Sequence, residues 1–290
     1  WGSDEFENKV SNDPNAPSFP EPWNSIDERY EARAFVEKNQ KLLRWADTQR
    51  HALLKEGYKK PRIYDIEGMR SGETLTFFVE TGNGTTGHSV PTGFTAERVT
   101  WLHVKVVDAR GKTIFVSGDT DPNGDLRDEH SLYVHNGELE ADPFLLSLQS
   151  NFLVRFNRGG ESEEILPINH SVDPLPFVRP SRFSSTLTGR PQGARLEKRG
   201  IPNGTDIAQR YVVSSSALAK AQWPLKIIAE VKAGMVPVHL VNEIKEVGFD
   251  YNMSARQIGD AIHAGQMVVW RTEHQLSPQG TMIEGGAAGE

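Results

Sequence analysis

Arg98-Val99-Thr100-Trp101-Leu102-His103-Val104-Lys105-Val106-Val107, then Asp108-Ala109-Arg110-Gly111-Lys112, then Thr113-Ile114-Phe115-Val116, is the stretch that decides the fold class. Trp101, His103 and Lys105 alternate with Leu102, Val104 and Val106, the period of a strand with two unlike faces. Asp108 and Gly111 supply turn chemistry, and β-branched residues resume at Thr113, so the stretch reads as a β-hairpin. Outward from it, Thr74 to Val79, Leu132-Tyr133-Val134, Phe152 to Phe156 and Gln209 to Val213 read as further strands. Short strands divided by turn signals predict a mainly-β chain, an antiparallel β-sandwich spanning 73–235, with a Pro-rich excursion at 167–202.

Helices flank the sandwich. Residues 1–24 are polar and Pro-rich and read as an extended lead segment. Residues 25–72 read as a long helix and its connector. Ser25 and Glu28 have the spacing of a capping box, and Phe35, Leu42, Leu43, Trp45 and Ala46 follow near helical spacing. The basic residues of that helix, Arg29, Arg33, Lys38, Lys41 and Arg44, read as a solvated face. Residues 236–270 read as a helical hairpin, its second helix opened by a capping box at Ser254 and Gln257. Residues 271–290 read as a tail.

Composition narrows the function. The chain has 290 residues and a formal charge of −7, with 37% hydrophobic residues, so it is large enough for a substantial core and has little to offer nucleic acid. No apolar run reaches the ~20 residues of a membrane-spanning helix. There is no cysteine, which excludes a disulfide, a thiolate metal site, a cysteine nucleophile and a covalently attached c-type haem. The chain begins at Trp1 with no visible signal peptide and reads as a mature or trimmed product. No G-x-S-x-G, Walker or H-E-x-x-H pattern is present, and no catalytic site is read.

Two loops attract attention. In Gly82-Asn83-Gly84-Thr85-Thr86-Gly87-His88-Ser89-Val90-Pro91-Thr92-Gly93, four glycines free the backbone to reach positive φ and Pro91 stiffens it around a single imidazole, His88. In Asp119-Thr120-Asp121-Pro122-Asn123-Gly124-Asp125, oxygen side chains at Asp119, Asp121, Asn123 and Asp125 alternate, with Gly at the sixth position, as in a Ca²⁺-binding loop. The twelfth position is His130 instead of Glu, so the match is partial, and ordinary turn chemistry explains the same residues. His103, His130 and His135 read as surface residues.

The run Gly87-His88-Ser89-Val90-Pro91-Thr92-Gly93, with Arg98, Trp101 to Val104, the Asp108/Gly111 hairpin and Ser117-Gly118, resembles the non-haem C-terminal β domain of multihaem c-type cytochromes of the cytochrome c554-related class. Leu148 to Phe152, Leu175-Pro176-Phe177 and Gly189-Arg190-Pro191 are similar to later segments of that domain. The haem-bearing part of the family, with its C-x-x-C-H repeats, is absent from this chain. The resemblance implies a periplasmic or extracellular module that scaffolds electron transfer in complex with a multihaem cytochrome, part of the same precursor or a separate subunit. It also opens a role for His88 as an axial ligand to a haem c carried by the partner, against the simpler reading of a hydrogen bond within its own corner. A different class of function fits the same sandwich: a carbohydrate- or protein-binding module with exposed Trp and Tyr as platforms.

Overall fold

A computed structural model describes all residues except 17, 69–72, 94–97, 129, 150, 159–161, 169–192, 198, 246–251 and 278–290, and for 151–158, 162–168, 193–197, 243 and 244 it describes the backbone. The expected later family segments at 175–177 and 189–191, most of the Pro-rich excursion and most of the tail lie outside the described residues. The chain divides into two compact units, Trp1–Leu54 and Lys55–Glu290.

The first unit is helical. The lead segment contains a helix, α1 (Asp4–Ser11), where an extended chain was expected. The reason is local: the Ser3 side chain accepts from the Phe6 N–H, acids fill the first turn, and Lys9 stands in the last. α2 (Ile26–Gly57) begins where the Ser25 cap signal places it and runs on beyond Leu54. Arg29 is its one buried residue among those described. The Arg29 guanidinium grips both oxygens of the buried Glu7 carboxylate, at 2.6 Å for the shortest contact, and also donates to the carbonyls of Trp23 and Asn24. Burying this pair is tolerable because nearly every donor and acceptor in it is used.

The second unit carries the sheets, all antiparallel. β1 (Arg62–Glu67), β2 (Leu75–Gly82) and β8 (Asp206–Val213) form one, with β2 central. β3 (Val99–Val107) and β4 (Thr113–Ser117), the hairpin read from the sequence, join β9 (Leu225–Gly234) and β10 (Met267–Leu276) in the order β10-β9-β3-β4. A third sheet sets β5 (Asn151–Arg158) between β6 (Ser162–Ile168) and β7 (Gly193–Glu197). The core draws Leu75, Phe77 and Val79 from β2, Tyr211 from β8, Leu102, Val104 and Val106 from β3, and Ile227 and Val231 from β9. Tyr211 ties the first two sheets together: its ring stacks on Phe77 at 5.4 Å and meets Phe115 of β4 edge-on at 6.2 Å. Each such large apolar side chain contributes about 1.5–3 kcal/mol by leaving water.

β3 is covered on its other face too. Val99, Trp101 and Leu126 form a small cluster there with Leu145 against it, and the Trp101 indole N–H donates to the Gly118 carbonyl at 3.0 Å. His103, expected at the surface, is mostly covered and sits 3.1 Å from Glu230, its register partner on β9.

Three other expectations change, the first being that the connector within 25–72 carries a strand, β1, paired with β2. Leu132-Tyr133-Val134 is not a strand but a short helix, α3 (Leu132–His135), because the Ser131 hydroxyl caps the Val134 N–H. Met267 to Leu276 continues neither a helix nor a tail: Gly265 ends the preceding helix, and β10 pairs with β9 along its whole length. The helical pair is therefore α5 (Val238–Lys245) and α6 (Ala255–Ala264), the latter opened by the expected Ser254/Gln257 capping box. α4 (Ser215–Leu218) is a single turn capped by Ser214.

Candidate functional site

The loop after β2 is held by one buried amide. Asn83 Nδ2 donates to the carbonyls of His88, at 2.7 Å, and Ile201, at 3.0 Å, while its Oδ1 accepts from the Thr85 N–H at 2.7 Å. Val90 and Ile201 exchange both backbone hydrogen bonds at the far end. Of the four glycines, only Gly93 takes a positive φ. Gly82 and Gly84 serve close approach instead: a Cβ would stand 1.8 Å from Asp206 Oδ1 at the first and 2.2 Å from the Glu56 carbonyl at the second.

Between these anchors Thr86, Gly87, His88 and Ser89 are exposed. His88 Nδ1 lies 3.2 Å from its neighbour's carbonyl, Ser89 O. A carbonyl can only accept, so this contact places the ring proton on Nδ1 and the lone pair of the neutral ring on Nε2. That is the tautomer a ligating histidine needs, with a backbone carbonyl orienting it. The simpler reading, a hydrogen bond within the corner, and the ligand reading therefore describe the two nitrogens of one ring.

The loop at 119–131 uses its oxygens differently. Asp121 Oδ1 accepts from the backbone N–H groups of Asn123, Gly124 and Asp125 at 2.7–3.0 Å, and its Oδ2 accepts from the Ser131 hydroxyl at 2.7 Å. Asp119 is paired with Arg127 at 2.7 Å. Asp125 Oδ1 accepts from the His239 N–H at 2.8 Å and faces that ring's Nδ1 at 3.3 Å. The carboxylates of Asp119, Asp121 and Asp125 thus turn to separate protein donors, and among the described residues no group of three His, Cys, Asp or Glu converges as a metal holder. Asn123, the fourth residue of the expected Ca²⁺ set, gives its carbonyl to the packing of α6, where Gly259 would place a Cβ 2.0 Å away.

What the sequence did not disclose is a histidine cluster on this loop. His130, read as a surface residue, is buried, with Nδ1 2.9 Å from Asp128 Oδ1, and its ring stacks on His239 at 4.9 Å. A third imidazole, His263 of α6, reaches the Gly124 carbonyl at 2.8 Å. His239 and His263 lie more than 100 residues along the chain from the loop, so no local spacing announces them. Burial pushes the Asp128 carboxyl up, but the His130 hydrogen bond and charge outweigh it and hold the group below the ordinary aspartate value. A cavity of about 480 Å³ lies beside this loop, with Arg127, Asp128, Asp142, Arg199 and Gln209 in its wall.

No protein-family model matches the chain, and no curated protein does. Among solved structures, the penta-heme cytochrome c552 from Thermochromatium tepidum aligns with a TM-score of 0.41 and 12% identity, over 78% of this chain. The chain spans about 41% of the length of that cytochrome. The likeness is distant: a TM-score of 0.41 is too low to carry a fold or an activity from one chain to the other.

Proposed function

We propose that this chain is a non-haem module that works with a multihaem c-type cytochrome outside the cytoplasm, scaffolding electron transfer and offering His88 to a haem of the partner. The observation that carries the reading is the presentation of His88: an exposed imidazole on a loop clamped by Asn83, with Nδ1 held by a carbonyl and Nε2 directed away from it. The similarity of Gly87 to Gly93 and of the following Trp-bearing strand to the non-haem cytochrome domain supports the choice of partner. An axial imidazole would supply a nitrogen ligand that tunes the potential of the partner's iron. The rest belongs to this chain: Asn83 and Thr85 fix the loop, and Ser89 orients the ring.

The test is an ultraviolet–visible spectrum, oxidised and dithionite-reduced, of the complex isolated gently with its native partner. Haem bands that follow this polypeptide, and that shift in His88→Ala, are the expected result. An unchanged haem spectrum in the assembled variant removes His88 as a ligand while leaving the association standing. Absence of any haem in the native complex removes the association itself and leaves the carbohydrate- or protein-binding class.

A further inference from the structure

The cavity of about 480 Å³ beside the 119–131 loop has the size of an ordinary small-molecule site, ~300–1,000 Å³. Arg127 and Asp128 reach it from the loop, Asp142 and Leu145 from the segment after α3, Arg199 from the approach to β8, and Ile207 from β8 itself. Ala208, which is exposed, lines it too, so the cavity is open to solvent.

Its wall carries charge of both signs, and the hydrogen bonds already made show which atoms are spent. Asp142 is fully used: Oδ2 accepts from the Ser117 hydroxyl and the Gly118 N–H, and Oδ1 from the Phe144 N–H. Asp128 is only half used. Its Oδ1 meets both the backbone N–H and the ring Nδ1 of His130, while its buried Oδ2 has no hydrogen-bond partner. The side chain is 10% exposed, and a carboxylate oxygen orphaned in such a place is costly until a donor arrives. Opposite in sign stand Arg127 and Arg199. Of the five N–H groups of a guanidinium, Arg127 spends two on Asp119 and one on the Glu140 carbonyl. Arg199 is close enough to Asp128 for its charge to help hold that carboxyl below the ordinary aspartate value.

A single water does not account for this arrangement. It would satisfy the orphan oxygen, but its share of liquid volume is only ~30 Å³, a small part of the space. A metal ion lacks ligands, since among the described residues no three His, Cys, Asp or Glu converge. A simple anion would be opposed by Asp128, and a simple amine by the two guanidiniums. A ligand with both charges complements both ends, and Leu145 and Ile207 give it an aliphatic surface to cover.

We propose that the cavity binds a free α-amino acid with an aliphatic side chain, its ammonium on Asp128 and its carboxylate on Arg127 and Arg199. This binding rests neither on His88 nor on a cytochrome partner.

Calorimetric titration of the full chain with leucine is expected to show one saturable site with a dissociation constant below about 1 mM. Isocaproate and isoamylamine carry one of the two charges each, and each is expected to bind at least about tenfold more weakly. Asp128→Asn keeps an acceptor for His130 and removes the charge, so it weakens leucine by about tenfold and brings isocaproate level with it. Ala208→Phe fills the cavity from an exposed position. It abolishes leucine binding while circular dichroism and melting stay as in the parent, which separates a lost site from a lost fold. A parent chain that takes up no leucine at about 10 mM overturns the proposal. So does either one-charge probe binding the parent as tightly as leucine, or leucine binding left unchanged by either substitution.

Discussion

The loops at 82–93 and 119–131 look equally like ligand-holding devices in the sequence, and the structure uses them in opposite ways. In the first, the polar anchor is buried and the chemically useful group is outside: Asn83 spends its amide on the backbone and His88 faces solvent. In the second, Asp121, Asp125, Asp128, His130 and His239 are all buried, and N–H, hydroxyl or imidazole groups donate to the carboxylates, with Asp128 Oδ2 left without a hydrogen bond. A donor atom already satisfied by protein has little left for a ligand. The buried loop is a structural hub joining the hairpin end, α5 and α6, while the exposed loop is a presenting device.

Substitutions sharpen this contrast, beginning with the hub. Asp121→Ala strands the Asn123 and Asp125 N–H groups and the Ser131 hydroxyl, while the Gly124 N–H keeps the Asp121 carbonyl, and is expected to cost about 3 kcal/mol in denaturant unfolding, at roughly 1–3 kcal/mol for each unpaired buried group partly relieved by water. A loss below about 1 kcal/mol would show that the loop is not the hub described. Next, Gly259→Ala is expected to cost about 2 kcal/mol, because the added Cβ meets the Asn123 carbonyl at 2.0 Å. In a free helix the same change would stabilise by about 1 kcal/mol, so even the sign is diagnostic.

A smaller effect follows from acid. Asp128 sits below its ordinary value of 3.8 in the folded protein, so the unfolded chain takes up this proton first as pH falls. Its contribution is therefore complete above about pH 4 and is lost as pH drops through the folded value. Asp128→Asn should flatten that limb of the stability curve; an unaltered limb would mean that Asp128 is not ionised against His130. The smallest effect is expected at the presenting loop. His88→Ala should leave unfolding within about 0.5 kcal/mol of the parent, and a larger loss would make the imidazole part of the corner's structure instead of a group held out for a partner.

Local chemistry explains which parts of the fold were legible. The β3–β4 hairpin, β8, the start of α2 and the Ser254/Gln257 capping box each depend on residues a few positions apart, and each stands where its signal is. The misreadings have a common physical origin. Leu132 to Val134 carries β-favouring side chains, yet Ser131, itself fastened to Asp121, caps them into a helical turn. β10 carries Arg271, Glu273 and His274, and becomes a strand because β9 supplies its ladder. The α2 stripe of Phe35, Leu42, Leu43 and Trp45, exposed in the structure, was read from spacing alone, and spacing identifies an apolar face without saying what covers it.

The sequence by itself determined the sandwich class, the long helix, the absence of cysteine chemistry and the loop that carries His88, since these follow from period, turn residues and composition. Only the tertiary structure decided that Asp121, Asp125 and Asp128 serve the protein's own donors, that His130 stacks on His239, and that His88 stays outside. Those outcomes depend on which distant segments arrive beside each loop, and burial then settles whether a polar atom is consumed by the fold or left free to act.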